Sequence, residues 1–337
     1  MGVRDLREVS VVTAAWLAAA AIAAAAGWLV ARVVRVRRRL NWAPPSVPGR
    51  TLGLHVRDLG TGEPPIVLLH GLAASGRYFG AAFEALASDH RMVVPDLLGF
   101  GRSPRPKLAS YTVAEHVAAV LSVLDSLSVS RRIWAVGHST GAILALELAS
   151  LHPDRVAGVI AFGPPIFASR EEARRRMTQM GWVVRLMTVE TRVARAFCDW
   201  VCAHRNWAAW LAPIARPDLP APIARDGVQH TWTSYSATLL RVVLESDSAH
   251  AVATASVPVH LVTGLDDPVP DRARLEQLDR DHAHVHLHAW PGGHDLPLTR
   301  PDRCVALIRE LADRASAKPA PQRAEASRWW LDGGSQL

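Results

Sequence analysis

Cysteine is nearly missing from this sequence. Its three copies are Cys198, Cys202 and Cys304, and none stands in a C-x-x-C pair. Cys198 and Cys202 lie four apart in a stretch of helical periodicity, a spacing that suits neither a disulfide nor a metal site, so all three are expected to be packed thiols. No His, Cys and Asp cluster has zinc-ligand spacing, and no metal or other cofactor is expected. Zinc-finger patterns and basic patches interleaved with aromatics are also lacking, so no nucleic-acid partner is expected. No internal repeat is visible.

Charge is scarce outside one end. The formal net charge is +7, but residues 1–40 hold seven arginines and two acids, which leaves only +2 for the rest. Residues 9–31 carry no charge at all, and eleven of them are alanine. At ~1.5 Å per helical residue such a run just crosses a ~30 Å hydrocarbon layer. It is expected to be a transmembrane helix and single-pass membrane anchor, with Trp16 and Trp28 near the interfaces. Five arginines follow it (Arg32, Arg35, Arg37, Arg38 and Arg39) against Arg4 and Arg7 before it. Basic residues stay on the cytoplasmic side, so the following domain is expected there.

What the chain has in quantity is alternation. "IVLLH", "RMVVPD", "RRIWAV" and "VAGVIAFG" are short apolar runs of the kind buried on both faces of a mostly parallel sheet. Helical patterns separate them, among them "GRYFGAAFEALAS" and "TVAEHVAAVLSVLDSL", in which Thr112 and Glu115 are spaced like a capping box. This is the pattern of a doubly wound α/β sheet. Between residues 166 and 255 the strands stop and apolar residues recur at three- and four-residue steps, as in Val189, Val193, Phe197, Trp200 and Val201. Strand and helix patterns then resume. The expected organisation is a membrane anchor over 1–40, an α/β core in two parts over 41–165 and 256–315, a helical lid over 166–255, and a disordered tail over 316–337.

Gly137-His138-Ser139-Thr140-Gly141 fits G-x-S-x-G and sits between a strand pattern and a helix pattern. A sharp strand-to-helix turn exposes the serine hydroxyl, and side chains at the flanking positions would clash. The next backbone N–H stands at a helix N-terminus, where it can hold an oxyanion. A nucleophilic serine needs a base and the base an orienting acid. Downstream, "GLDDPVP" ends a strand with Asp266 and Asp267, and "PGGHD" follows another strand with His294. The order serine, acid, histidine is thus present.

With "LLHG" at 68–71, "PDLLGFGRS" at 95–103, "GHSTG" at 137–141, "GLDDPVP" at 264–270 and "GGHD" at 292–295, the chain resembles α/β-hydrolase-fold serine hydrolases of the lidded esterase, lipase and haloperoxidase-like group, over roughly residues 51–315. The resemblance implies Ser139 as nucleophile, His294 as general base and Asp267 as the acid, with Asp266 the alternative. It implies an oxyanion hole at the N–H groups of Leu72 and Thr140, and structural roles for His70, Asp96 and His138. Haloalkane dehalogenases and epoxide hydrolases carry an aspartate where Ser139 stands, so their alkyl-enzyme chemistry is not expected.

In the lid region His230, Trp232 and Tyr235 could line an acyl pocket or simply pack the lid on itself. The expected activity is hydrolysis of a carboxylic ester, of a small molecule or a lipid. A C–C bond hydrolase or perhydrolase-like activity on the same triad, and a catalytically silent binding scaffold, are the alternatives. The sequence assigns no oligomeric state.

Overall fold

The computed structural model describes residues 40–180 and 192–316, together with Arg185, Leu186 and isolated positions between Trp16 and Val34. Eight strands form one sheet: β1 (Arg50–Leu52), β2 (Leu54–Leu59), β3 (Ile66–Leu69), β4 (Met92–Pro95), β5 (Ile133–His138), β6 (Val156–Phe162), β7 (Val259–Gly264) and β8 (Val285–Trp290). Their order is β1-β2-β4-β3-β5-β6-β7-β8. The first two strands run antiparallel to their neighbours, and every pairing from β4 to β8 is parallel.

The continuous apolar runs follow from two covered faces. In β3, Val67 and Leu69 join one hydrophobic cluster with helices α1 (Val113–Ser126) and α2 (Thr140–Leu151). Ile66 and Leu68 join a second cluster on the other face. Thr112 caps α1 by accepting from the Glu115 N–H at 3.2 Å. The Glu115 carboxylate in turn accepts from the N–H groups of Ser110 and Tyr111. The segment expected to be helical around residues 76–88 instead forms two short 3-10 turns, Gly76–Tyr78 and Ala81–Ser88.

Between β6 and β7 lies a helical insertion. It comprises α3 (Arg170–Met177), α4 (Arg192–Ala203), α5 (Arg205–Ala215), α6 (Ala221–Asp226), α7 (Trp232–Thr238) and α8 (Ser248–Thr254). After β7 come α9 (Arg272–Asp281), β8, the single turn α10 (Leu296–Thr299) and α11 (Pro301–Ser316). Cys198, Cys202 and Cys304 are free thiols, the first and last buried.

One expectation is overturned. Among the described residues no helix is long and apolar enough to cross a membrane, which removes the transmembrane anchor over 9–31 and with it the single-pass, cytoplasmic placement. Burial of apolar area is what drives insertion, at roughly 25 cal/mol per Å², and a run with eleven alanines offers little area per turn. Most of 9–31, and all of the expected tail beyond Ser316, with Trp329 and Trp330, lie outside the described residues.

Candidate active site

Ser139 stands alone between the end of β5 and the start of α2, with φ 54 and ψ −119. A non-glycine residue at such a φ is strained by roughly 1–3 kcal/mol and persists only where its surroundings fix it. Here the Ser139 N–H donates to the Phe162 carbonyl at 2.9 Å, and its own carbonyl accepts from the Ala142 N–H at 2.8 Å. The flanking glycines are forced by space. A Cβ on Gly137 would lie 2.1 Å from the Gly141 oxygen, and one on Gly141 2.1 Å from the Leu69 oxygen.

The loops after β7 and β8 bring the acid and the histidine together. His294 Nδ1 donates to Asp267, at 2.9 Å from Oδ2 and 3.1 Å from Oδ1. The Asp267 side chain is fully buried, while Asp266 is exposed. Asp267 Oδ1 also accepts from the Val269 N–H at 2.9 Å, which fixes the carboxylate in the turn. Nε2 of His294 is buried with no hydrogen-bond partner among the described residues. Burial works against the His294 imidazolium, but the Asp267 carboxylate beside it outweighs this, and its pKa lies above the ordinary 6.5.

Three residues around this pair were not singled out by the sequence reading. Gly163, just past β6, has φ 53, and a Cβ there would be 3.0 Å from both Nδ1 and Cε1 of His294 and 3.2 Å from Asp267 Oδ2. Its sequence signal is a glycine at the carboxyl end of a core strand. Tyr78 donates to Asp295 Oδ1 at 2.9 Å and stacks on His138 with ring centroids 4.6 Å apart. His138 Nε2 lies 3.1 Å from the His294 carbonyl oxygen and 3.2 Å from the Tyr78 hydroxyl. Burial, with His294 close by, pushes the His138 imidazole down to about 4. Asp295 follows His294 directly, the one signal the chain offers for it.

His70 and Asp96 hold loops. His70 Nδ1 donates to the Gly71 carbonyl at 2.8 Å, and its Nε2 accepts from the Leu97 N–H at 2.9 Å. Asp96 accepts from the N–H groups of Gly76 at 2.6 Å and Arg102 at 2.7 Å. The His70-Gly71 loop lies against the serine, since a Cβ on Gly71 would be 3.2 Å from Ser139 Cβ. Leu72 follows it. Thr140 opens α2, so its N–H has no intrahelical partner.

Ser139, His294 and Leu72 line one cavity of about 350 Å³ under the helical insertion, with Phe197, Leu211 and Tyr235 on its apolar wall. Thr140 is not among its lining residues, and its side chain is buried. Trp232 is elsewhere: it lines a separate outer cleft with Arg192, Ser236 and Leu240. The helix period explains the split. Residues 232, 236 and 240 form one stripe of α7 and its continuation, whereas Tyr235, Leu239 and Val242 form the buried one. His230 lines the cavity with Tyr235. Among the described residues, no group of three or more His, Cys, Asp or Glu side chains is placed to hold a metal ion.

The alpha/beta hydrolase fold family model matches residues 64–301. The chain is 27% identical over 233 residues to the probable lysophospholipase BODYGUARD 4 of Arabidopsis thaliana, covering 63% of this chain and 55% of that protein. It is 40% identical over 109 residues to epoxide hydrolase B of Mycobacterium tuberculosis, covering 32% of this chain and 30% of that one. The chain thus spans about half the length of the first relative and under a third of the second. A thermophilic esterase from Thermogutta terrifontis superposes with a TM-score of 0.57 at 24% identity, over 78% of this chain and 94% of that one, a likeness in fold. The match to the family model over most of the chain, on a parallel sheet with a strained serine turn after β5, shows that the chain belongs to the α/β-hydrolase family.

Proposed function

We propose that this chain hydrolyses carboxylic esters through an acyl-enzyme on Ser139. One observation carries the reading: His294, tied through Nδ1 to buried Asp267, has an unpartnered Nε2 in the wall of the cavity that holds Ser139. In this account Nε2 takes the Ser139 proton as Oγ attacks the ester carbonyl carbon, and the N–H groups of Leu72 and Thr140 hold the oxyanion. Collapse expels the alcohol, which takes the proton back from His294. Water, deprotonated by the same Nε2, then attacks the acyl carbon; collapse breaks the bond to Ser139 Oγ, which takes the proton back from His294, and the acid is released. Asp267 stays ionised throughout, keeping Nδ1 protonated and the ring oriented.

The insertion over residues 166–255 acts in this reading as a lid, placing the acyl group against Phe197, Leu211 and Tyr235. A cavity of about 350 Å³ stands near the low end of small-molecule sites, about 300–1,000 Å³, and favours an ester with one short acyl chain. A panel of p-nitrophenyl esters of rising chain length tests the proposal. Turnover that peaks at short to medium chains and is lost in Ser139→Ala supports it. A flat null across the panel with folded protein sinks it.

A further inference from the structure

Arg216 is out of place in the cavity. It caps the carboxyl end of α5 and lines the same space as Ser139 and His294, among apolar neighbours such as Leu211, Ala215 and Leu219. Its Nε lies 3.0 Å and 3.1 Å from the two oxygens of Asp218, and its Nη2 2.7 Å from Oδ2. Asp218 itself is 45% exposed and Arg216 only 27%, so the pair could have formed at the surface without placing a cation in an apolar wall. Asp218 holds the guanidinium through Nε and Nη2, beside a helix C-terminus that favours a cation, and Nη1 makes no hydrogen bond among the described residues.

A guanidinium has five N–H donors in a rigid fork. Asp218 takes Nε–H and one N–H of Nη2, which leaves the Nη1–Nη2 end, the edge that matches a carboxylate or phosphate with two parallel hydrogen bonds. Arg216 lines the cavity together with Ser139, His294, Tyr235 and Asp295, and its charge opposes protonation of His294. Asp295 is the other charged group of the cavity wall, and its Oδ1 is already engaged by the Tyr78 hydroxyl.

We infer that the cavity takes an ester bearing one anionic group, a carboxylate or a phosphate, gripped by the free end of Arg216 while the acyl chain lies on the apolar wall. The ester part rests on the function proposed above; the anion site does not. Titration calorimetry with octanoate, octyl phosphate and octanol tests it without turnover. Wild type should bind at least one of the two anions roughly tenfold or more tighter than octanol, and which anion wins tells carboxylate from phosphate. Arg216→Met should erase the preference and leave octanol binding unchanged, and Arg216→Lys should keep part of it. Equal binding of all three by wild type, or a preference that survives in Arg216→Met, overturns the inference whether or not the variants fold well. Anion preference without turnover of any ester would retain this site and discard the ester reaction.

Discussion

His294 donates through Nδ1 to Asp267 at 2.9 Å, while Asp266, one residue earlier, is exposed. Two adjacent aspartates therefore have opposite surroundings. Asp267→Asn should lower kcat by roughly 10⁴-fold, because an amide there can favour the wrong tautomer of the imidazole. Asp266→Asn should leave kcat near the parent value. Steady-state kinetics of the two variants on one p-nitrophenyl ester decides, and the reverse order would assign the wrong acid.

Gly163 offers a sharper geometric test. A methyl group there meets the His294 ring and Asp267 and is added at a φ of 53, a region that costs non-glycine residues roughly 1–2 kcal/mol. Gly163→Ala should lose about 10²-fold in kcat through misplacement of the ring, with a lowered urea midpoint. Gly293→Ala is the control, since a Cβ there meets nothing within 4 Å. Equal activity of the two variants would contradict the close packing around His294.

The pH dependence of the rate has a determined sign. As the proposed general base, His294 must be neutral to accept the serine proton, and its pKa is raised above 6.5. The acid limb of kcat/KM should therefore fall above pH 6.5, with activity rising as pH increases through it. Asp267→Asn should move the limb to lower pH in whatever activity remains. A limb below 6.5 in the wild type would contradict the pairing.

Stability should fall as the pH drops below neutral. Burial, the largest cause in each case, pushes His116, His138 and His230 down to about 4. In the unfolded chain each titrates near 6.5. The unfolded chain then binds more protons below 6.5, so the stability present above that value is lost as pH falls toward 4. His294, with its raised pKa, acts in the contrary sense, one group against these three and against His55, His70, His260 and His288, which burial also lowers. Urea midpoints should drop between pH 7 and pH 5, and His230→Gln should flatten the trend. A constant midpoint would contradict the buried neutral state of these rings.

The insertion separates two aromatic residues that the sequence could not. Tyr235 lines the cavity and Trp232 does not. Tyr235→Ala should shift the chain-length optimum toward longer acyl groups, and Trp232→Ala should not. The same shift in both would mean that the outer cleft also reads substrate.

How much was legible follows from how local each signal is. The turn at Ser139 needs two glycines within five residues, and the strand and helix around it are their own confirmation of context, so the chain shows it directly. The alternation of β3 to β6 is equally local. Asp267 could be chosen over Asp266 only by resemblance, because which of two neighbours faces inward depends on the loop that carries His294. Tyr78 and Asp295 meet across 217 residues, and Arg216 acquires a role only once α5 is set over the sheet. Trp232 and Tyr235 share an amphipathic helix, and the inner stripe is fixed by its partners. The apolar run over 9–31 met a length criterion, which counts residues rather than buried area.

The central claim is that Ser139 is the nucleophile made reactive by His294 and Asp267. Intact-mass spectrometry after brief exposure to a fluorophosphonate tests it most directly. The expected result is one phosphonyl adduct on the wild type, mapping to the peptide that contains Ser139, with none on Ser139→Ala and slow labelling of His294→Ala. Folded wild-type protein that takes no label, or Ser139→Ala labelled as fast as wild type, would contradict it.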